Sequence, residues 1–119
     1  VRARTLGVDL PLLTGVGSER IDKQPAVAKR IINDALDVLA SVNASSALGA
    51  DALSEIRFDE KLGFSLHLRN HSRIHLGFRS PDDQMARLEQ MLRKGLDLSA
   101  KLEVDLDLED IAVATPLAG

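Results

Sequence analysis

Apolar residues recur along this chain with two periods, and the switches between them outline the elements. From Pro25 to about Gly49, Val27, Ile31, Ala35, Leu39 and Val42 return at helical spacing. Ile32, Leu36 and Val38 widen that stripe, and Lys29, Arg30, Asn33, Asp34 and Asp37 take the other side, the pattern of an amphipathic helix. Pro25 suits the first turn, and Gly49 is a plausible stop. The period then drops to two. Ser54-Glu55-Ile56-Arg57-Phe58-Asp59, Phe64 to Leu68 and Arg73 to Phe78 each alternate polar with apolar residues, as half-buried strands do. A second helix opens at Ser80-Pro81-Asp82-Asp83, where Ser80 can cap, Pro81 fits the first position and the aspartates meet the positive end of the dipole. Its stripe is Met85, Leu88, Met91, Leu92 and Leu96, and Gly95 is a candidate break. Leu102, Val104, Leu106 and Leu108 alternate with Glu103, Asp105, Asp107 and Glu109, and Ile111 to Ala114 forms a short last strand ended by Pro116.

Residues 1–23 are mixed, with an extended stretch over Val8 to Leu13 and a glycine loop at Thr14-Gly15-Val16-Gly17-Ser18. The second and third strands predict a hairpin that pairs Leu68 with Ile74, Leu66 with Leu76 and Phe64 with Phe78, its loop centred on His71. A slip of one residue would turn the apolar set into water. The order of elements predicts an α+β fold in a single domain over residues 1–119. Its sheet is mainly antiparallel with about five strands or more, two helices cover one face, and the C-terminal strand lies at a sheet edge.

Composition narrows the function classes. The 119 residues suffice for one core, 45% are hydrophobic and only 3% aromatic, so the core is aliphatic. A formal charge of −3 argues against a nucleic-acid binder. There is no cysteine, hence no disulfide or thiolate chemistry. No run of 18 apolar residues spans a membrane, and no signal peptide is visible. The chain begins with Val1 and reads as a piece of a longer protein, with any membrane anchor upstream.

Three histidines, His67, His71 and His75, have a spacing that would line up metal ligands on a helix. Here the alternation around them is that of strands, with His67 and His75 expected as cross-strand neighbours and His71 at the turn, and no second-shell partner is evident. Glu103, Asp105, Asp107 and Glu109 point outward in a row, which fits a solvated face matched to Arg57, Arg69, Arg73 or Arg79 better than a calcium loop or a catalytic pair. Gly15-Val16-Gly17 lacks the Lys-Ser/Thr of a phosphate loop, and no serine sits in a nucleophile elbow. The residues thus nominate no catalytic residue, metal ligand, cofactor or small-molecule substrate. The last strand remains: an edge offers unpaired N–H and C=O groups to a partner strand. The residues alone leave open whether that flank is free or blunted by Pro116.

Leu10-Pro11-Leu12-Leu13-Thr14-Gly15, the helix and Ser54-Glu55-Ile56 strand after it, Arg73-Ile74-His75-Leu76-Gly77, Arg87-Leu88 with Met91-Leu92, Val104-Asp105-Leu106 and Ile111-Ala112-Val113 follow one another in an order that resembles the C-terminal β domain of the FtsQ/DivIB bacterial cell-division family. The resemblance implies a non-enzymatic scaffold outside the cytoplasm, in the periplasm. It would follow a membrane helix and a POTRA domain absent from this chain, and bind partners of the FtsB/FtsL type by strand addition in support of septum formation. By position the partner-binding residues would be Leu108, Glu109, Asp110, Ile111, Ala112, Val113 and Ala114. Asp107 replaces the arginine usual in the family, and Leu108 and Thr115 or Pro116 stand where some members have aromatics. Recognition would therefore lean on main-chain hydrogen bonds and acidic neighbours. Val113→Pro is expected to remove one edge N–H. An adaptor or outer-membrane assembly module using another face, or a histidine-based metal-binding domain, are the competing readings.

Overall fold

Two connections fix the layout of the domain, because each carries helix across one face of a sheet and returns the chain parallel to where it left. The structure is a computed structural model that describes residues 4–5, 8–9, 11–49, 52–108 and 113–117. Strands β1 (Arg4–Thr5) and β2 (Val8–Asp9) form a small antiparallel pair. The main sheet has six strands in the order β3 (Leu12–Thr14), β4 (Leu53–Asp59), β5 (Gly63–Leu68), β6 (Arg73–Gly77), β7 (Leu102–Asp105) and β8 (Val113–Pro116). Helices α1 (Ser18–Lys23) and α2 (Pro25–Ala44) link β3 to β4, and α3 (Pro81–Arg93) links β6 to β7. These two steps are the parallel pairings; β4–β5, β5–β6 and β7–β8 are antiparallel. The fold is α+β with a mixed sheet, and β8 lies at its edge.

The core is aliphatic and lies between the helices and one sheet face. Ile31, Ala35, Val38 and Val42 of α2 and Met85 and Leu88 of α3 pack with Ile56, Leu66, Leu68, Ile74, Leu76, Val104 and Leu106. The α2 stripe is rotated from the expected one: Ala28 is buried, whereas Val27, Ile32 and Leu36 are exposed. The helix ends before Gly49, at Ala44, where the Ser45 hydroxyl accepts the Ala47 N–H at 3.1 Å. Ser80 occupies the N-cap of α3 without a side-chain cap bond; Asp82 instead accepts the Ser41 hydroxyl of α2. Gly95, at φ +111°, closes α3 as expected.

The hairpin keeps the predicted faces but not the predicted register. Leu66 lies opposite Ile74 and His67 opposite Arg73, two residues from the expected pairing. Its loop is the cause. His71 adopts φ +72°, and the Leu68 carbonyl accepts its N–H at 2.9 Å, the three-residue hairpin form that closes on a left-handed residue. A bulge between Phe64 and Ser65 then brings Phe64 opposite Gly77. Phe78 falls beyond β6 and is 62% exposed, not in the core.

Candidate functional site

Alternation along β8 determines which of its backbone groups are available. The Leu117 N–H donates to the Lys101 carbonyl at 3.0 Å. With Pro116 opposite Leu102, this makes 101/117 a hydrogen-bonded pair, and the pattern alternates from there. Thr115 and Val113 therefore direct their N–H and C=O groups to Glu103 and Asp105 of β7. Ala114 directs both groups away from the sheet, and Pro116 directs its carbonyl away. Pro116, which has no N–H, stands where none is needed for the ladder. Among the described residues no strand lies on that outer flank, and all four residues of β8 are exposed. The expected effect of Val113→Pro is thereby corrected: that N–H faces β7, and Ala114 carries the outward one.

Of the other residues singled out, Leu108 is 38% exposed and its carbonyl accepts Arg87 Nη1 at 3.2 Å. Glu109, Asp110, Ile111 and Ala112 lie outside the described residues. The opposite edge strand, β3, has three residues, and Thr14 at its end donates its hydroxyl to Glu55.

β8 has one neighbour, so its position depends on β7, and polar side chains hold β7 at both ends. At the start, the buried Ser72 donates its hydroxyl to the Ala100 carbonyl at 3.2 Å and accepts the Leu102 N–H at 3.0 Å. Asn70 Nδ2 donates to the Leu98 carbonyl at 2.6 Å. At the far end, Gln84 of α3 is 1% exposed. Its Nε2 donates to the carbonyls of Leu76 and Leu106 at 2.9 and 2.8 Å, joining the ends of β6 and β7. Arg87 Nη1, one turn on, donates to the Leu106 and Leu108 carbonyls. Sequence reading missed Gln84 and gave Arg87 no task. The available signal is that Gln84 lies four residues before Leu88, on the buried side of its helix.

The sheet face away from the helices is polar and largely self-neutralised. Two rows run across it, Glu55–His67–Arg73–Glu103–Thr115 and Arg57–Ser65–His75–Asp105–Val113. Arg73 Nη2 donates to Glu103 at 3.2 Å and His75 Nε2 lies 2.8 Å from the other oxygen. The His75 hydrogen bond, helped by Arg73 against some burial, holds the Glu103 carboxyl below its usual range. Burial pushes Glu55 up, but the Thr14 hydroxyl, His67 and Arg57 outweigh it and the net shift is downward. Burial pushes His67 down, aided by Arg57, Arg73 and His75 and opposed by Glu55. Of the acidic row, Glu103 thus meets Arg73, and Asp107 lies 3.7 Å from Arg79. His67 and His75 are diagonal rather than opposite. Among the described residues no group of three or more His, Cys, Asp or Glu side chains could hold a metal ion. Nor, among them, is any helix long and apolar enough to cross a membrane.

Comparison with known proteins adds a family. The family model "Cell division protein FtsQ/DivIB, C-terminal" matches residues 2–109. The cell division protein FtsQ of Geotalea daltonii is 27% identical over 108 residues, which cover 87% of this chain and 38% of that protein. The chain therefore spans less than two fifths of the length of this curated relative. The family match takes in β1 through β7 with all three helices and stops short of β8.

Proposed function

This chain belongs to the FtsQ/DivIB C-terminal family of cell-division domains, and from that premise we propose that it is a non-enzymatic divisome scaffold that binds a partner by strand addition along β8. The observation that carries the reading is the outer flank of β8, where Ala114 offers an N–H and a C=O and Pro116 a C=O. Such groups give affinity through main-chain hydrogen bonds. The partner-binding stretch is Leu108 to Ala114, continuing to Pro116, and the partners are division proteins of the FtsB/FtsL type. The domain works in the periplasm, carried by a longer protein with an upstream membrane helix and POTRA domain, and supports septum formation there.

Ala114→Pro tests the reading. It deletes the outward N–H and leaves the β7–β8 ladder its own donors. Affinity for the extracytoplasmic part of an FtsB–FtsL pair, titrated by calorimetry, is expected to fall about tenfold or more, the factor that about 1.4 kcal/mol represents. Wild-type affinity in a variant with unchanged melting temperature would refute strand addition at this edge.

A further inference from the structure

We infer that Gln84 and Arg87 are positioning residues for the partner-binding stretch: together they fix where the chain leaves the core, over Leu106 to Leu108, on its way to the sheet edge. The inference deepens the strand-addition reading and rests on it. Gln84 is the only charged or polar residue of α3 that is buried, and every polar contact it makes with the sheet goes to a carbonyl at a strand end. Nε2 bridges Leu76 and Leu106, the last residues of the core on β6 and just after β7. A carbonyl buried there with no donor would carry the full cost of its desolvation.

Arg87 extends the same bridge outward. Its Nη1 reaches the Leu106 and Leu108 carbonyls and lies 3.5 Å from Gln84 Oε1. Leu106 is fully buried and Leu108 is 38% exposed, so the two bonds straddle the step from core to surface. Asp107 and Leu108 are both exposed, so side-chain burial does not fix the direction of the chain once β7 has ended at Asp105. A cationic donor on two carbonyls two residues apart does, since charge-assisted bonds are stronger than neutral ones. The stretch that follows Leu108 leads to β8. A partner strand that adds to β8 binds more tightly if the edge is already ordered, because less conformational freedom is lost on association.

Arg87→Met keeps the aliphatic stem and removes the donors; Gln84→Leu removes the bridge. Hydrogen exchange of the free chain is expected to be about tenfold faster at Leu106, Val113 and Thr115 in Arg87→Met, with β4 and β5 at wild-type rates. Affinity for the same FtsB–FtsL pair should fall about tenfold, and Arg87→Lys should recover part of both losses. Val42→Ala, a core truncation on α2 that touches none of the clamp's hydrogen bonds, serves as the control for lost stability alone. Exchange at Leu106, Val113 and Thr115 that stays at the wild-type rate, or that quickens evenly across the sheet as in Val42→Ala, would overturn the inference. Affinity retained in Arg87→Met while Ala114→Pro loses it would overturn the positioning role alone. Affinity retained in Ala114→Pro would remove the edge reading and the positioning role together. Gln84→Leu is read by the same exchange pattern if it folds, and Arg87→Met decides the matter if it does not.

Discussion

Gly63 and Gly77 meet where β5 begins and β6 ends. Both have positive φ, +83° and +72°, and a Cβ on Gly63 would come within 2.3 Å of the Gly77 backbone. Backbone cannot yield as a flexible side chain can, so Gly63→Ala is expected to cost about 2 kcal/mol or more, read as a lower urea midpoint. His67 sets a pH dependence. Its folded pKa lies below the ordinary 6.5 because burial disfavours the charged ring. The unfolded chain therefore binds the proton more readily, and stability present above 6.5 is lost as pH falls through the folded value. Melting temperature should decline between about pH 7 and pH 5, and His67→Gln should make that decline shallower. Glu103, also held low, adds a loss in the same direction at more acidic pH. Single residues were the least legible level of the sequence. His71 takes the left-handed turn position although Asn70 beside it is the residue type that tolerates it better; the Asn70 side chain is used instead to accept the Ser72 N–H. Gln84 reads as a surface residue by type, and only the carbonyls of two distant strands explain its burial.

Elements were far more legible, because periods of two and 3.6 report which face is buried whatever the register. The β5–β6 hairpin shows both sides of this: its alternating residues kept their faces under a shift of two, which the pattern cannot detect. The parallel pairings β3–β4 and β6–β7 were not legible, since they depend on where a helical crossover sets the chain down. At β8 the pattern located the edge and the strand, which runs on through Pro116 where the pattern had ended it, while the phase of its hydrogen bonds came only with the ladder. That phase separates two neighbouring substitutions. Val113→Pro removes a donor to β7 and should detach β8, seen as lost amide protection at Thr115 and Leu117. Ala114→Pro should leave protection at Val113 and Thr115 intact while partner binding is lost.

At the scale of the whole molecule, one sheet face is sealed by helices and the other is a lattice of opposed charges. Leu66 lies on a central strand of the sealed side, with 0% exposure. Leu66→Ala should cost about 2–5 kcal/mol in urea unfolding, with loss of partner binding only where the domain has unfolded. Both margins of the sheet, however, are short and proline-marked. β3 has three residues preceded by Pro11, and β8 has four, with Pro116 among its outward positions. A second copy approaching either margin finds too few rungs to build a continuous ladder, and proline breaks any that begins. The open flank of β8 is thus a poor seed for homotypic fibres.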